Sequence, residues 1–260
     1  MSGCTDKYSH LYDDEPKLCK EIQAAWKQKK HKDVILLTDK LAANFAFSRY
    51  LPDAMLLVSD IHASMHNDKA AIESYRAFIK LYPDNKNVPH ALYSICTILF
   101  KQLNTVDRDQ QITKILMEYL QTIINDYSDS KYVEDAKKML KICNGQCAAY
   151  EIYWATLYQK KRNYAAAINR LTSVIEHYID TDFAPEALYR LAECFIAIGG
   201  HIDAATVTLK LKEIARNSSW YIMAVNLCKE HKIHIPETHN NSKNIAKLNT
   251  STQINKKTRA

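Results

Sequence analysis

Residues 69–84 read KAAIESYRAFIKLYPD, and this stretch decides the fold. Its apolar residues are spaced three and four positions apart, which places them in one stripe along an α-helix. Pro83 ends that helix, and Pro89 fits the first turn of the next one. The stripe is made by Ile72, Tyr75, Phe78, Ile79 and Tyr82. The stretch therefore predicts a helix, a turn and a second helix.

The same unit recurs along the chain, marked by an aromatic residue that is followed nine positions later by an alanine. The four pairs are Phe45 and Ala54, Tyr82 and Ala91, Tyr127 and Ala136, and Tyr178 and Ala187. Apolar residues also recur four positions before each aromatic, at Leu41, Phe78, Ile123 and Val174. An internal repeat of this kind is the signature of stacked, identical supersecondary units.

The spacing inside the unit resembles the second-helix signature of a tetratricopeptide repeat. Ala71, Tyr75, Phe78 and Pro83 lie at offsets of 0, 4, 7 and 12. The small alanine allows two helices to approach closely, while the larger residues fill the layer between them. The interval between units is 37, 45 and 51 residues, so the turns or helices must carry extra length.

A fifth, degraded unit follows, in which Ala215 replaces the aromatic residue. Ala205, Leu211 and Ala224 lie 37 positions beyond the corresponding residues of the fourth unit. Loss of the aromatic is expected of a terminal, capping repeat. The sequence therefore predicts an all-α, tetratricopeptide-like superhelix of about five helix-pair repeats.

Composition excludes several function classes. The chain has only 4 glycines, contains no phosphate-cradling glycine loop, and has no apolar run long enough to span a membrane. The net charge is +6, but most of the excess lies in residues 229–260, which argues against a nucleic-acid groove on the body of the protein. The histidines show no metal-ligand spacing, and no nucleophile motif is present. We therefore predict a protein without metal, catalytic residues or nucleic-acid partner.

Seven cysteines occur, and their spacing matches neither a zinc site nor a disulfide framework. Cys96 and Cys194 lie within apolar helical stripes, where a free cysteine behaves as a small buried hydrophobe. Cys143 and Cys147 are separated by three residues rather than the two of a redox C-x-x-C motif. A thiol enzyme that uses these two cysteines is the remote alternative to a non-enzymatic protein.

The amino terminus resembles the end of a bacterial lipobox, in which Ser2 and Gly3 precede a cysteine that receives lipid, here Cys4. The hydrophobic signal segment expected before such a cysteine is absent, so Met1 would be a start placed on a mature sequence. We predict that residues 1–16 form an extended, lipid-anchored tether. The lipid on Cys4 would be the only non-protein group; no cofactor is predicted.

The repeats and the lipobox together resemble the BamD (ComL) family of tetratricopeptide lipoproteins, which belong to the outer-membrane β-barrel assembly machinery. The similarity covers about residues 4–228 and is strongest over residues 144–199, where the segment from Lys161 to Arg170 is close to a family motif. Within that region Tyr150 and Glu151 are predicted to start a helix. A second similar segment, residues 106–109, is predicted to open the helix of the third unit.

The resemblance implies a lipid-anchored scaffold at the periplasmic face of the cell outer membrane. Its implied partners are the periplasmic domain of BamA, accessory assembly lipoproteins and unfolded outer-membrane β-barrel proteins. The predicted superhelix occupies residues 17–231, with an amino-terminal half over 17–101 and a carboxy-terminal half over 108–231. Residues 232–260 are predicted to be a disordered basic tail.

Five residues are predicted to contact the partner protein: Arg170, Asn169, Arg162, Tyr158 and Arg108. An arginine suits such a surface because it forms bidentate pairs with carboxylates. The alternative is that Arg170 pairs with a carboxylate of the next repeat, and that Arg108 only belongs to a capped helix start.

Substrate peptides are predicted to bind a second surface, formed by Phe47, Arg49 and Tyr50 on the loop between the first two repeat helices. For Phe47 and Tyr50 the alternative is plain core packing. Another periplasmic tetratricopeptide adaptor, of the type that serves the Tol-Pal system, is the alternative function, although the coiled coil typical of that type is not visible.

Overall fold

The computed structural model describes residues 14–236. These residues form eleven α-helices and no strand. The helices are α1 (Glu15–Lys27), α2 (His31–Asn44), α3 (Leu51–Ser64), α4 (Asp68–Leu81), α5 (Val88–Lys101), α6 (Gln111–Asp126), α7 (Val133–Lys160), α8 (Tyr164–His177), α9 (Ala184–Ala197), α10 (His201–Ala215) and α11 (Ser219–Glu230). The prediction of an all-α chain built from helix pairs is confirmed.

The turn after Tyr82 explains why an aromatic residue and an alanine recur at a fixed interval. Tyr82 is the C-cap of α4, and its N–H donates to the carbonyl of Phe78 at 2.9 Å. The carbonyl of Tyr82 accepts from the Asn85 N–H at 3.1 Å, and the Asn85 carbonyl accepts from the N–H of Val88, where α5 begins. The same bonds recur after Phe45, Tyr127 and Tyr178.

The alanine of each pair lies on the first turns of the following helix and is buried. Ala91, Ala136 and Ala187 have no exposed surface, and Ala54 is 6% exposed. A side chain of one carbon allows the helix backbones to pack closely. The arrangement recurs at the last turn. Ala215 stands in the place of the aromatic residue and accepts the Ser218 N–H, the Ser218 side chain caps α11, and Ala224 is the buried alanine of that helix. The predicted fifth unit is therefore present.

The described residues form two compact units that divide between Cys143 and Asn144, within α7. The halves predicted from the repeats were residues 17–101 and 108–231. The first unit contains one hydrophobic core from α1, α2 and α3, and another that extends from α3 to the first turns of α7. The core of the second unit is made by the remainder of α7 and by α8 to α11.

The amino-terminal boundary of the helical region differs slightly from the prediction. Helix α1 begins at Glu15, two residues before the predicted start, because Asp14 caps it by accepting the Lys17 N–H at 3.0 Å. The rest of the predicted tether, including Cys4, lies outside the described residues. So does the predicted tail from residue 237 onward.

Two predicted helix starts were wrong. Tyr150 and Glu151 do not begin a helix, because α7 runs without interruption for 28 residues through Gly145. Helix α6 begins at Gln111 rather than near Val106, since Asp109 accepts the Gln111 N–H and forms a turn before the helix. Residues 106–109 are therefore a connection, and Tyr150 and Glu151 lie in the middle of α7.

Candidate interaction surfaces

Arg170 and Glu151 form an ion pair between α8 and α7. The guanidinium donates to Glu151 Oε2 at 3.0 Å, and the two side chains are 39% and 17% exposed. This hydrogen bond raises the pKa of Arg170 above its ordinary value, with smaller contributions from Tyr150 and Tyr158. The arginine is therefore charged at all physiological pH values and remains accessible from one side.

The position of Arg170 on α8 follows from the buried stripe of that helix. Ala167, Leu171 and Val174 are buried, so Arg170 lies at the edge of the stripe rather than opposite to it. From this edge its side chain reaches back to α7. The alternative prediction, that Arg170 pairs with a carboxylate of the next repeat, is wrong in its partner. The carboxylate belongs to Glu151 on the preceding helix, α7.

The other predicted partner-binding residues of the second unit have different environments. Tyr158 is half-buried on α7, whereas Asn169 and Arg162 are exposed. Arg162 lies in the turn before α8 with a left-handed φ of 57°. Within residues 14–236, neither the Asn169 nor the Arg162 side chain has a hydrogen-bonding or ionic partner. The structure therefore associates Tyr158 with the Arg170 pair and leaves the other two on open surface.

Phe47 is fully exposed in the turn between α2 and α3. Phe45 occupies the C-cap position of α2, and Ser48 turns the chain by donating its N–H to the Phe45 carbonyl. Arg49 donates to the Tyr50 hydroxyl, and its guanidinium lies 4.7 Å from the ring centroid of Tyr50. The core-packing alternative is wrong for Phe47 and also does not hold for Tyr50, which is 36% exposed.

Arg108 lies in the connection before α6 and is exposed. Asp107 accepts a hydrogen bond from Thr105, and the Gln110 amide donates to the carbonyls of Thr105 and Arg108. These bonds order the connection without using the Arg108 guanidinium, which has no ionic partner among the described residues. Asp109 thus accepts the first N–H of α6, that of Gln111, while the Arg108 side chain stays on the exposed surface.

An apolar groove that the repeat pattern does not predict lies in the second unit. Its volume is about 380 Å³, and it is bordered by Tyr153 and Leu157 on α7 and by Phe183 before α9. Tyr153 follows Glu151 by two positions, so the groove and the ion pair lie on opposite faces of α7. The signal in the sequence was the presence of apolar residues outside the repeat stripe, among them Phe183.

A second missed feature lies in the first unit, where a polar network borders a cavity of about 640 Å³. Asp60 Oδ1 accepts from the Tyr75 hydroxyl at 2.6 Å and lies 2.9 Å from His90 Nε2. The other ring nitrogen of His90 lies 3.1 Å from the Tyr132 hydroxyl. Only helix packing brings these four residues together, because they are distributed over α3, α4, α5 and the turn before α7.

The cysteines lack the exposure that a nucleophile needs. Cys143 and Cys147 are 0% and 3% exposed, and the other four described cysteines are also buried. None of the six forms a disulfide in residues 14–236. Burial raises the pKa of the Cys194 thiol to about 11, which opposes thiolate formation. The same described part of the chain contains no cluster of ligands suited to a metal ion.

A family model described as an outer membrane lipoprotein (YfiO) matches residues 13–211. The chain belongs to this family. The match begins just before α1 and extends into α10, so it covers nearly all of the helices on which the candidate surfaces lie. Among the helices that the structure describes, none has the length and hydrophobicity required to cross a bilayer.

Members of the family resemble this chain over most of its length. It is 32% identical over 162 residues to the outer membrane protein assembly factor BamD of Rickettsia prowazekii, covering 62% of this chain and 64% of that protein. The BamD of Caulobacter vibrioides is 29% identical over 185 residues, covering 71% and 61%, respectively. The chain thus spans about three-fifths of the length of these two relatives. The BamD of Vibrio cholerae is 24% identical over 228 residues, covering 82% and 93%.

Among solved structures, the TPR domain of P58(IPK) covers 95% of this chain and 67% of its own at 14% identity, with a TM-score of 0.40. A TM-score of this size adds nothing to the fold established by the helices themselves.

Proposed function

We propose that this protein is a lipid-anchored, non-enzymatic scaffold of outer-membrane β-barrel assembly, and that it binds the periplasmic domain of BamA through the surface around Arg170. The observation that carries the proposal is family membership together with the geometry of Arg170. Its guanidinium is charged and partly exposed, and among residues 14–236 its one carboxylate partner is Glu151. A guanidinium offers five N–H donors, so several remain for a carboxylate of a partner.

Titrating purified variants with the BamA periplasmic domain tests the proposal. Arg170→Leu is expected to weaken binding by roughly tenfold or more, as loss of a charged interface anchor does. Arg190→Leu is the matched control, because Arg190 also pairs with a glutamate, Glu186, within the second unit. The assignment is wrong if both variants bind as the unchanged protein does while circular dichroism shows intact helices.

A second surface, formed by Phe47, Arg49 and Tyr50, is proposed to capture the carboxy-terminal segment of unfolded barrel substrates. An exposed aromatic ring and a cation next to it suit a peptide that ends in an aromatic residue and a carboxylate. The experiment is a fluorescence-anisotropy titration with a peptide of that kind. Phe47→Ala should weaken the complex severalfold, whereas Phe183→Ala in the second unit should not.

The proposal includes covalent lipid on Cys4 and location at the periplasmic face of the outer membrane. Mass spectrometry of protein purified from native membranes would detect the acyl chains and would also identify accessory lipoproteins that co-purify. A Cys4→Ser variant should lose the acyl mass and leave the membrane fraction. An unmodified Cys4 in the native protein would contradict the anchor without affecting the BamA test.

A further inference from the structure

The connection between α1 and α2 combines an exposed tryptophan with a concentrated positive charge. Residues 26–32 read WKQKKHK, and no carboxylate occurs between Glu21 and Asp33. The body of the protein is otherwise close to neutral, so this connection is its most basic short segment apart from the terminal tail. The four lysines, Lys27, Lys29, Lys30 and Lys32, are all exposed.

Backbone hydrogen bonds stabilise the turn, so the lysine side chains are not needed to form it. The N–H of Lys29 donates to the Trp26 carbonyl at 2.9 Å, and that of Lys30 donates to the Ala25 carbonyl at 2.9 Å. This pair of bonds closes the end of α1 around Lys29, whose φ is 56°. None of the four lysines forms an ion pair with any residue in the described range 14–236.

Trp26 lies at the same end of α1 and is 43% exposed. Its ring stacks on His31, with centroids 6.1 Å apart and planes inclined by 25°. The stack fixes one face of the indole and leaves the remainder in contact with solvent. A tryptophan held in this way beside lysines is the arrangement found where proteins contact the headgroup region of a bilayer.

The chemistry of the segment favours a lipid surface over a protein partner. Interfaces between proteins are enriched in arginine and depleted in lysine, whereas this segment has four lysines and no arginine. None of its residues borders either of the two cavities described above. Exposed lysines beside one exposed aromatic ring suit an anionic lipid surface, and the chain belongs to a family of outer membrane lipoproteins.

We propose that the segment 26–32 binds the anionic headgroups of a bilayer, with its lysines near the lipid phosphates and the Trp26 indole at headgroup depth. The contact is additional to any lipid on Cys4 and does not require the proposed complex with BamA. It would orient the first unit with the α1–α2 end toward the membrane. Each lysine near such a surface is expected to strengthen binding by about fivefold, and added salt should weaken it.

The test uses the full chain without acyl groups and vesicles of phosphatidylcholine with or without phosphatidylglycerol. The protein should co-sediment only with the vesicles that contain phosphatidylglycerol. In a Trp154→Phe, Trp220→Phe variant, which keeps Trp26 as its sole tryptophan, brominated lipid should quench the tryptophan fluorescence. At about fivefold for each lysine, replacing all four by glutamine should lower the partition coefficient by several hundredfold. The fold is expected to survive, because α1 and α2 are packed through their buried residues, such as Leu18, Val34 and Leu37.

The matched control replaces Lys131, Lys137, Lys138 and Lys141 by glutamine, which removes the same charge from the turn before α7 and from the first part of that helix. It should change vesicle binding far less. The proposal is overturned if the two quadruple variants lose binding equally, since net charge alone would then explain it. It is also overturned if vesicle binding persists without Lys27, Lys29, Lys30 and Lys32, because the basic tail would then be the binding element. Binding to polyglutamate but to no vesicle would indicate an acidic protein partner instead.

Discussion

Glu151 on α7 accepts a hydrogen bond from Arg170 on α8 at 3.0 Å, although the two residues are 19 positions apart in the sequence. The pair is partly exposed, so solvent screens it and its contribution to the free energy of unfolding is small. Because Glu151 already orients the guanidinium, a carboxylate of a partner protein could bind it without reordering the side chain. The pair therefore positions the arginine without burying it.

Glu151→Gln is expected to lower the free energy of unfolding by less than about 1 kcal/mol, because an exposed ion pair contributes little. Urea denaturation followed by circular dichroism measures this. Binding of the BamA periplasmic domain should be retained, since the arginine keeps its charge. A loss of several kcal/mol would instead show that the pair is part of the core.

Ala187→Leu tests the role of the alanine that closes each unit. Ala187 has no exposed surface, so three further carbon atoms must displace the neighbouring helices, at a cost of about 1–3 kcal/mol or more. Ala165→Leu on the exposed face of α8 is the control and should change stability by less than about 0.5 kcal/mol. Equal urea midpoints for the two variants would contradict the packing argument.

Phe47 and Phe78 provide a direct comparison between two phenylalanines with opposite environments. Phe78 is fully buried and Phe47 is fully exposed. Phe78→Ala should cost about 3–5 kcal/mol, whereas Phe47→Ala should leave the thermal midpoint almost unchanged. If Phe47→Ala destabilised the protein comparably, the turn would be structural and the peptide-binding proposal would lose its basis.

Stability is expected to fall at alkaline pH because of the buried thiols. Burial raises the pKa of Cys194 from its ordinary value of 9.0 to about 11, and that of Cys96 to about 12. Unfolded thiols ionise near pH 9, while folded ones keep the proton until higher pH. The stabilisation from these two thiols is therefore complete below about pH 9 and is lost as the pH rises to about 12, by roughly 7 kcal/mol in all.

Cys194→Ser isolates one of these groups. Serine keeps an oxygen that can accept from the Gln159 amide, as the Sγ atom does at 3.2 Å, but it does not ionise in this range. Urea titrations at about pH 8 and about pH 11 should show a smaller loss for the serine variant than for the unchanged chain. Parallel losses would mean that Cys194 does not contribute to the alkaline transition.

The helix pairs could be predicted because their determinants are local. Tyr82 ends α4 by bonding to the carbonyl of Phe78, four residues earlier, and the next helix starts six residues later. All the hydrogen bonds of that turn join residues within about ten positions of one another. A local sequence pattern that recurs therefore produces the same turn each time. The continuity of α7 could not be predicted in this way, because a glycine such as Gly145 is typical of a helix end, although here the helix continues through it.

The sequence by itself determined that Phe45, Tyr82, Tyr127 and Tyr178 end helices and that the alanines after them are buried, since helical periodicity fixes which face of each helix is apolar. It did not determine what lies opposite that face. Only the tertiary structure decided that Arg170 pairs with Glu151, and that Phe47 is exposed while Phe78 is buried. The physical reason is that such contacts depend on the angle between consecutive helices. The hydrophobic pattern of the sequence does not specify that angle.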